Sequence, residues 1–377
     1  MVKTMRLAVD ARILAAPNAG SAYYTRGWLQ AVGKAGFDGE IILIGPAGTA
    51  TDVAIDGASV GVMVQDVGLG DAQWEQLRLP ALLERLGPDV LVSPTGTVPM
   101  LKCCPQVNVV YDLGFEVHPE FYQAGLRSYL RRWVPRSCQS ADVVVTLSRF
   151  SERELKRLYG VEGERIVICP GAASDRFGPI EEDTAVHDVH TRYGIESPYV
   201  LSVCSLERNK NLPRLVRAFS RAQKRLGRPW SLVLAGRAGG ARRQLGRLLA
   251  QLEVANQVVL TGFVPDAELE VLYAGADLFA LISVYEGFGL PVLEAMASET
   301  PVLCSQRASL PEVVGDAGVV VDPYEVEAIE NALVQLLSDA EKRAYFAEAG
   351  LRRAARFDWS DTAGKLIHTC KELACVC

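Results

Sequence analysis

No stretch of this 377-residue chain approaches the roughly 20 consecutive apolar residues that a membrane-spanning helix needs. Contact with a bilayer is therefore expected only at its surface. Basic residues are not in excess: 39 Lys and Arg stand against 45 Asp and Glu, a formal charge of −6. Nucleic-acid binding, which relies on a positive footprint, is not expected. The C-x-x-C spacing is missing, and the nine cysteines form an odd, scattered set. Cys103 and Cys104 adjoin, while Cys370, Cys375 and Cys377 crowd the end. That pattern argues against a zinc site or a disulfide framework and for free thiols in a reducing compartment. Short repeats and low-complexity tracts are also lacking, which removes solenoid architectures. The opening Met1-Val2-Lys3-Thr4-Met5-Arg6 reads as the approach to a strand rather than a signal peptide, so the expected location is the cytoplasm.

What is present is an alternation of strand and helix patterns, the mark of parallel sheets flanked by helices. At this length two domains are expected. In the first half the apolar runs Leu7–Asp10, Ile41–Ile44, Val60–Val64, Val90–Val92, Gln106–Val110, Val143–Thr146 and Ile166–Ile168 read as strands. Helices are expected over Ala22–Lys34, Trp74–Leu86 and Arg149–Leu158, the last capped by Ser148. A polar, turn-rich stretch places the linker near 171–190. A second series follows: strands Tyr199–Val203, Ser231–Ala235, Val258–Leu260, Asp277–Ile282 and Pro301–Cys304, with helices Leu212–Leu226, Arg242–Leu252, Ala267–Tyr273 and Glu325–Leu337. The fold class expected is α/β, two Rossmann-like doubly wound domains facing across a cleft.

The stretch around which the second series is organised is Ser283-Val284-Tyr285-Glu286-Gly287-Phe288-Gly289-Leu290-Pro291-Val292-Leu293-Glu294. It reads as strand end, glycine turn and helix start. Gly287 and Gly289 allow close backbone approach to a ligand. Pro291 suits a first helical turn, whose unpaired N–H groups can seat a phosphate. Glu286 stands at the mouth of the turn and Glu294 beside the bound ligand, where carboxylates accept hydrogen bonds from sugar and ribose hydroxyls.

The E-x7-E spacing inside Glu286–Ala297 resembles the signature of retaining GT-B glycosyltransferases of family 4. The resemblance is strongest from about 199 to 325 and weakest in the first half. It implies a metal-independent hexosyltransferase that uses a nucleotide-diphosphate sugar as co-substrate and no cofactor. It divides the chain into an acceptor-side domain 1–175, a donor domain 176–355 and a closing helix 356–377 that returns to the first domain, with Ser360 as its N-cap. Lys210, in Cys204-Ser205-Leu206-Glu207-Arg208-Asn209-Lys210-Asn211, matches the family's diphosphate lysine, and the resemblance implies that Lys210 and Arg208 together hold the leaving diphosphate as catalytic residues. Cys204 stands where glycine is frequent. Ser205, Gly236 and the backbone of Val264 fall on donor-binding loops, the last toward the nucleobase. Glu286 would face the sugar, Phe288, Gly289 and Leu290 would offer N–H groups, and Glu294 would hold ribose.

The first half departs from the family pattern. Gly20 keeps its place in Gly20-Ser21-Ala22-Tyr23-Tyr24, but Ala22 and Tyr23 replace a glycine and an arginine. The family's His-Asp pair, near the donor sugar, reads Tyr111-Asp112; the resemblance carries these two over as catalytic candidates, although tyrosine would not be cationic near neutral pH. His118, in a His-Pro-Glu string, reads as a loop histidine or a catalyst. The basic segment Gly125–Arg136 reads either as a solvated helix face or as a surface for an anionic bilayer or a lipid-diphosphate acceptor. The expected acceptor is a glycan, a glycolipid or a lipid-linked hydroxyl in cell-envelope polysaccharide synthesis. Mannose from GDP-mannose is the first choice of donor. UDP- or dTDP-sugar transfer, nucleotide-sugar hydrolysis or epimerisation, and a binding subunit without transfer are the alternatives.

Overall fold

The computed structural model describes residues 4–15, 19–45, 53, 55, 59–64, 70–180, 183–196 and 198–376. The chain divides into two compact units, one running to Gly171 and resuming at Asp358, the other Ala172–Phe357. The division thus falls at 171 and 357 rather than at the expected 175 and 355. Residues 16–18 of the first loop lie outside the described residues. No helix among the described residues is long and apolar enough to cross a membrane.

The first unit is built on β1 (Arg6–Asp10), β2 (Glu40–Gly45), β3 (Ser59–Val64), β4 (Val90–Ser93), β5 (Gln106–Val109), β6 (Val143–Thr146) and β7 (Ile166–Ile168). They form one seven-stranded sheet in the order β3-β2-β1-β4-β5-β6-β7. Every pairing is parallel. Its inner strands are near-continuous Val, Ile and Leu runs because helices cover both faces of such a sheet.

The expected helix Ala22–Lys34 is observed over Gly20–Ala31. The expected helix Trp74–Leu86 is interrupted: Trp74–Arg78 is a π-helical segment and Leu79–Leu86 is regular. Pro80 supplies no N–H to the carbonyl one turn earlier, which favours the wider turn. The segment carries Trp74 and Glu75 into the interior, where Glu75 is fully buried. The basic segment is the helix Ala124–Ser140, which turns Val134 and Cys138 inward. Part of its positive charge is engaged locally, since Arg131 pairs with Glu116 at 2.8 Å.

The last helix, Trp359–Val376, belongs to this first unit. Its N-terminal cap is Asp358, whose Oδ1 accepts from the N–H groups of Ser360 and Asp361, so Ser360 lies inside the helix rather than capping it. The helix starts at Trp359, which puts Asp358 at the N-cap and Ser360 in the first turn. Trp359 meets Tyr24 edge-on at 5.5 Å. A Cβ at Gly27 would come within 2.4 Å of the Trp359 ring, so glycine is what lets the two helices close.

The second unit holds β8 (Tyr199–Val203), β9 (Ser231–Ala235), β10 (Val258–Gly262), β11 (Leu278–Leu281), β12 (Val302–Ser305) and β13 (Val319–Val321). Their order is β10-β9-β8-β11-β12-β13, again all parallel. Both sheets therefore reverse direction next to their first strand. Among the elements not legible in the sequence pattern are β13, the helices Leu310–Val314 and Ala340–Ala354, and the helix Asp183–Tyr193 inside the expected linker. The last is pinned by Arg192 and Tyr193, which both donate to Glu268.

At the carboxyl end of β1 the first unit buries a charged cluster. The Arg12 guanidinium lies between Asp10 and Glu75 and stacks over Trp74 at 5.0 Å. Burial alone would lower the Arg12 pKa, but the two carboxylates more than reverse this and hold it charged. Glu75 is pushed upward by burial and by Asp10, against the pull of Arg12 and of the Thr97 hydroxyl. One cation serving two carboxylates leaves Glu75 short of compensation. Arg12→Ala should destabilise the protein by roughly 3–5 kcal/mol, the cost of leaving buried carboxylates without their partner. Urea unfolding measures this. Replacing Asp10, Arg12 and Glu75 together by apolar residues of similar volume should cost far less.

Candidate functional site

In the second unit the chain leaves β8 and β11 in opposite directions, and the crevice at such a reversal is where α/β sheets receive ligands. Two loops meet there. A single 3-10 turn, Arg208–Lys210, follows β8. The glycine turn after β11 leads into the helix Leu290–Ala297, with Pro291 in its first turn. Val284 N–H donates to Asn209 O at 2.8 Å, tying the loops together. Lys210 Nζ then reaches Glu286 Oε1 at 2.6 Å, with side chains only 19% and 15% exposed. Residues 76 apart in sequence are thereby joined.

The turn has its own support. Ser309, fully buried, donates through Oγ to the carbonyls of Glu286 (2.8 Å) and Phe288 (2.6 Å). Gly289 has φ 126°, and a Cβ there would lie 2.7 Å from Leu310. Both facts call for glycine. Gly236 is more constrained still: φ is 149° and a Cβ would stand 2.0 Å from Cys204 O. Glu294, on the first turns of the helix, is 7% exposed and its Oε2 accepts from Tyr273 OH at 2.8 Å. Burial pushes its carboxyl up to about 7, with Tyr273 pulling the other way.

The other residues singled out in the sequence are distributed as follows. Val264 is buried between β10 and the helix Asp266–Ala274, and next to it Phe263 is exposed with Arg237 over its ring at 5.0 Å. Ser205 is exposed on the loop after β8. Arg208 shares the turn with Lys210 but lines a separate cavity with four other arginines. In the first unit Gly20 is the first residue of its helix, and a Cβ there would meet nothing within 4 Å. Tyr111 OH donates to Ser21 O at 3.2 Å, and burial raises its pKa, so it stays a neutral hydroxyl. Asp112 Oδ1 accepts from Gly114 N–H at 2.7 Å. His118 Nδ1 lies 3.1 Å from Glu120 Oε1, and the ring stacks on Phe121. Among the described residues no group of three or more His, Cys, Asp or Glu is placed to hold a metal ion. Sequence reasoning missed Ser309, Tyr273 and Asn209, because each acts across the fold on a residue far away in the chain.

Two doubly wound units, one carrying a lysine–carboxylate pair and a glycine turn at its strand reversal, define the GT-B class of glycosyltransferase. The sequence profile of glycosyl transferases group 1 matches residues 189–353, and that of glycosyltransferase family 4 matches 19–175. The chain is 33% identical over 267 residues to O-antigen chain mannosyltransferase B of Escherichia coli, covering 71% of this chain and 70% of that one. It is 32% identical over 230 residues to a GDP-mannose-dependent phosphatidylinositol monomannoside mannosyltransferase of Mycolicibacterium smegmatis, covering 58% and 59%. The serotype-specific mannosyltransferase WbdA of Escherichia coli is a longer relative, of which the chain spans 33%. Sucrose-phosphate synthase from Thermosynechococcus elongatus shares the fold with a TM-score of 0.78 at 20% identity, covering 99% and 100%. WaaG, a glycosyltransferase involved in lipopolysaccharide biosynthesis, does so at 0.75 and 18%, covering 96% and 98%. The chain belongs to the family 4 glycosyltransferases.

Because the folded state raises the Glu294 pKa, the stability this group contributes is fully present below about pH 4.5 and is lost as pH rises toward about 7. The melting temperature of the wild type should therefore fall relative to that of Glu294→Gln across this window, as differential scanning fluorimetry in a pH series would show. Parallel curves would disprove the assignment.

Proposed function

We propose that this chain transfers mannose, with retention of anomeric configuration, from GDP-mannose to a glycan or lipid-linked hydroxyl during assembly of a cell-envelope polysaccharide. The observation that carries the reading is the Lys210–Glu286 pair at the strand reversal, set beside the N-terminal turn of Leu290–Ala297. The likeness to two mannosyltransferases supports the choice of sugar.

In this reading Lys210 and the N–H groups at Phe288, Gly289 and Leu290 face the donor diphosphate. Charge develops there as the bond between the anomeric carbon and the phosphate oxygen breaks, so fixed positive groups stabilise the transition state more than the ground state. The acceptor oxygen bonds to the anomeric carbon on the same face, and its proton passes to the departing phosphate oxygen. No metal is required by this scheme. Glu286 accepts from a sugar hydroxyl and Glu294 from the ribose, which holds the reacting atoms in place. Ser205 and Gly236 line the donor loops, and the backbone at Val264 meets the base.

Tyr111 and Asp112, whose polar ends are engaged with Ser21 and Gly114, shape the first-unit loop in this reading, and Gly20 starts its helix. Peripheral bilayer contact through the helix Ala124–Ser140, where Leu126 is 52% exposed, belongs to the same proposal.

The test is turnover on a panel of GDP-, UDP-, ADP- and dTDP-sugars, with the anomer of the product read by NMR. GDP-mannose should be consumed and an α-mannoside formed. Glu286→Ala should lower kcat by at least 10²-fold, and Lys210→Ala should weaken donor binding about 10-fold or more, in line with loss of a charge-assisted contact. Consumption of a UDP- or dTDP-sugar alone would replace the donor. Binding without transfer to any acceptor would replace the enzyme by a binding subunit.

A further inference from the structure

Against the helix Arg242–Leu252 of the second unit lies a cavity of about 1030 Å³. Five arginines line it: Arg208 from the turn after β8, Arg217 from the helix Leu212–Gln223, and Arg242, Arg243 and Arg247. Gly239 and Gly240 close one side. None of Lys210, Glu286, Gly289 or Glu294 lines it, so it is distinct from the crevice described above.

The charge balance here is unusual. In a chain with a net charge of −6, no carboxylate lines the cavity. None of the five guanidinium groups makes a hydrogen bond or ion pair among the described residues; Arg208, Arg242, Arg243 and Arg247 are exposed and open to a ligand from solution. The one carboxylate close by, Glu207, accepts from Gly240 N–H instead. Arg242 and Arg243 occupy the first turn of their helix, which carries no acidic residue, and the helix dipole opposes cations there. Arg243 and Arg247, one turn apart, repel each other. Such a concentration of like charge on an open face attracts anions, with salt screening setting its strength.

We infer that this cavity binds a multiply charged phosphate compound, a diphosphate or longer, separate from the nucleotide-sugar donor. Guanidinium forks match phosphate oxygens in bidentate pairs, and five of them can neutralise more than one phosphate group. The volume is that of a small-molecule site. Its lining has no aromatic ring on which a base could stack, which points away from nucleotides and nucleic acid. Because Arg208 and Lys210 share one 3-10 turn, an anion held here touches the segment that also carries the donor-site lysine.

The probe is inorganic tripolyphosphate, titrated calorimetrically into the full chain. Wild type should bind it with an affinity that drops steeply with salt. R243Q/R247Q, with an unchanged melting profile, should bind at least 10-fold more weakly, while Lys210→Ala should bind as wild type does. Equal binding by wild type and R243Q/R247Q would overturn the site. So would loss of binding in Lys210→Ala alone, since the anion would then occupy the donor crevice. Vesicles of phosphatidylcholine with and without cardiolipin, whose headgroup carries two phosphates, identify the source. Capture that requires cardiolipin and is lost in R243Q/R247Q supports the site with a lipid that presents two phosphates as its ligand. Capture unaffected by the double variant, with tripolyphosphate binding lost, supports it with a soluble ligand. GDP-mannose turnover should persist in R243Q/R247Q, so this inference and the proposed transfer reaction can fail independently.

Discussion

A lysine largely withdrawn from water needs a carboxylate, and the Lys210–Glu286 pair is the contact that ties together the two loops at the strand reversal of the second unit. The pair exists only because β8 and β11 are neighbours while the chain departs from them in opposite directions. Each loop alone is a polar turn. Brought together, they set a cation against a carboxylate, both mostly buried, in the turn that leads into the helix Leu290–Ala297.

The surrounding residues keep that arrangement from collapsing. Ser309 anchors the Glu286 and Phe288 carbonyls of the turn, and the glycines at 236 and 289 admit backbone where a side chain would collide. Glu294 is buried against Tyr273, a costly position for a carboxylate. A ligand hydroxyl donating to Glu294 would favour its charged form, and phosphate oxygens facing Lys210 would take over from Glu286.

The second unit treats its cations in two ways. Lys210 is matched to a carboxylate, whereas the five arginines around the neighbouring cavity are matched to none. The first unit, by contrast, surrounds Arg12 with two carboxylates and leaves a surplus of negative charge. The acidic balance of the whole chain conceals these opposite local fields.

Most strands were legible because buried parallel strands are apolar runs bounded by Gly and Pro, and the glycine turn from Glu286 to Leu290 was legible because few other residues tolerate its backbone. The strand β13 and the helix Asp183–Tyr193 were not, since Val319–Val321 is only three residues long and the helix sits in a polar stretch. Ser360 reads as a cap by residue type, yet the helix starts before it, at Trp359, and Asp358 takes the cap. By itself the sequence determined the α/β class, the family resemblance and the identity of Lys210, Glu286 and Glu294 as candidates, because these depend on local pattern and spacing. Tertiary structure alone decided that Lys210 and Glu286 touch, that Glu75 and Arg12 are buried together, and that Arg208 faces four other arginines. Those outcomes depend on which strands become neighbours, and hydrophobic periodicity along one segment carries no information about the segment beside it.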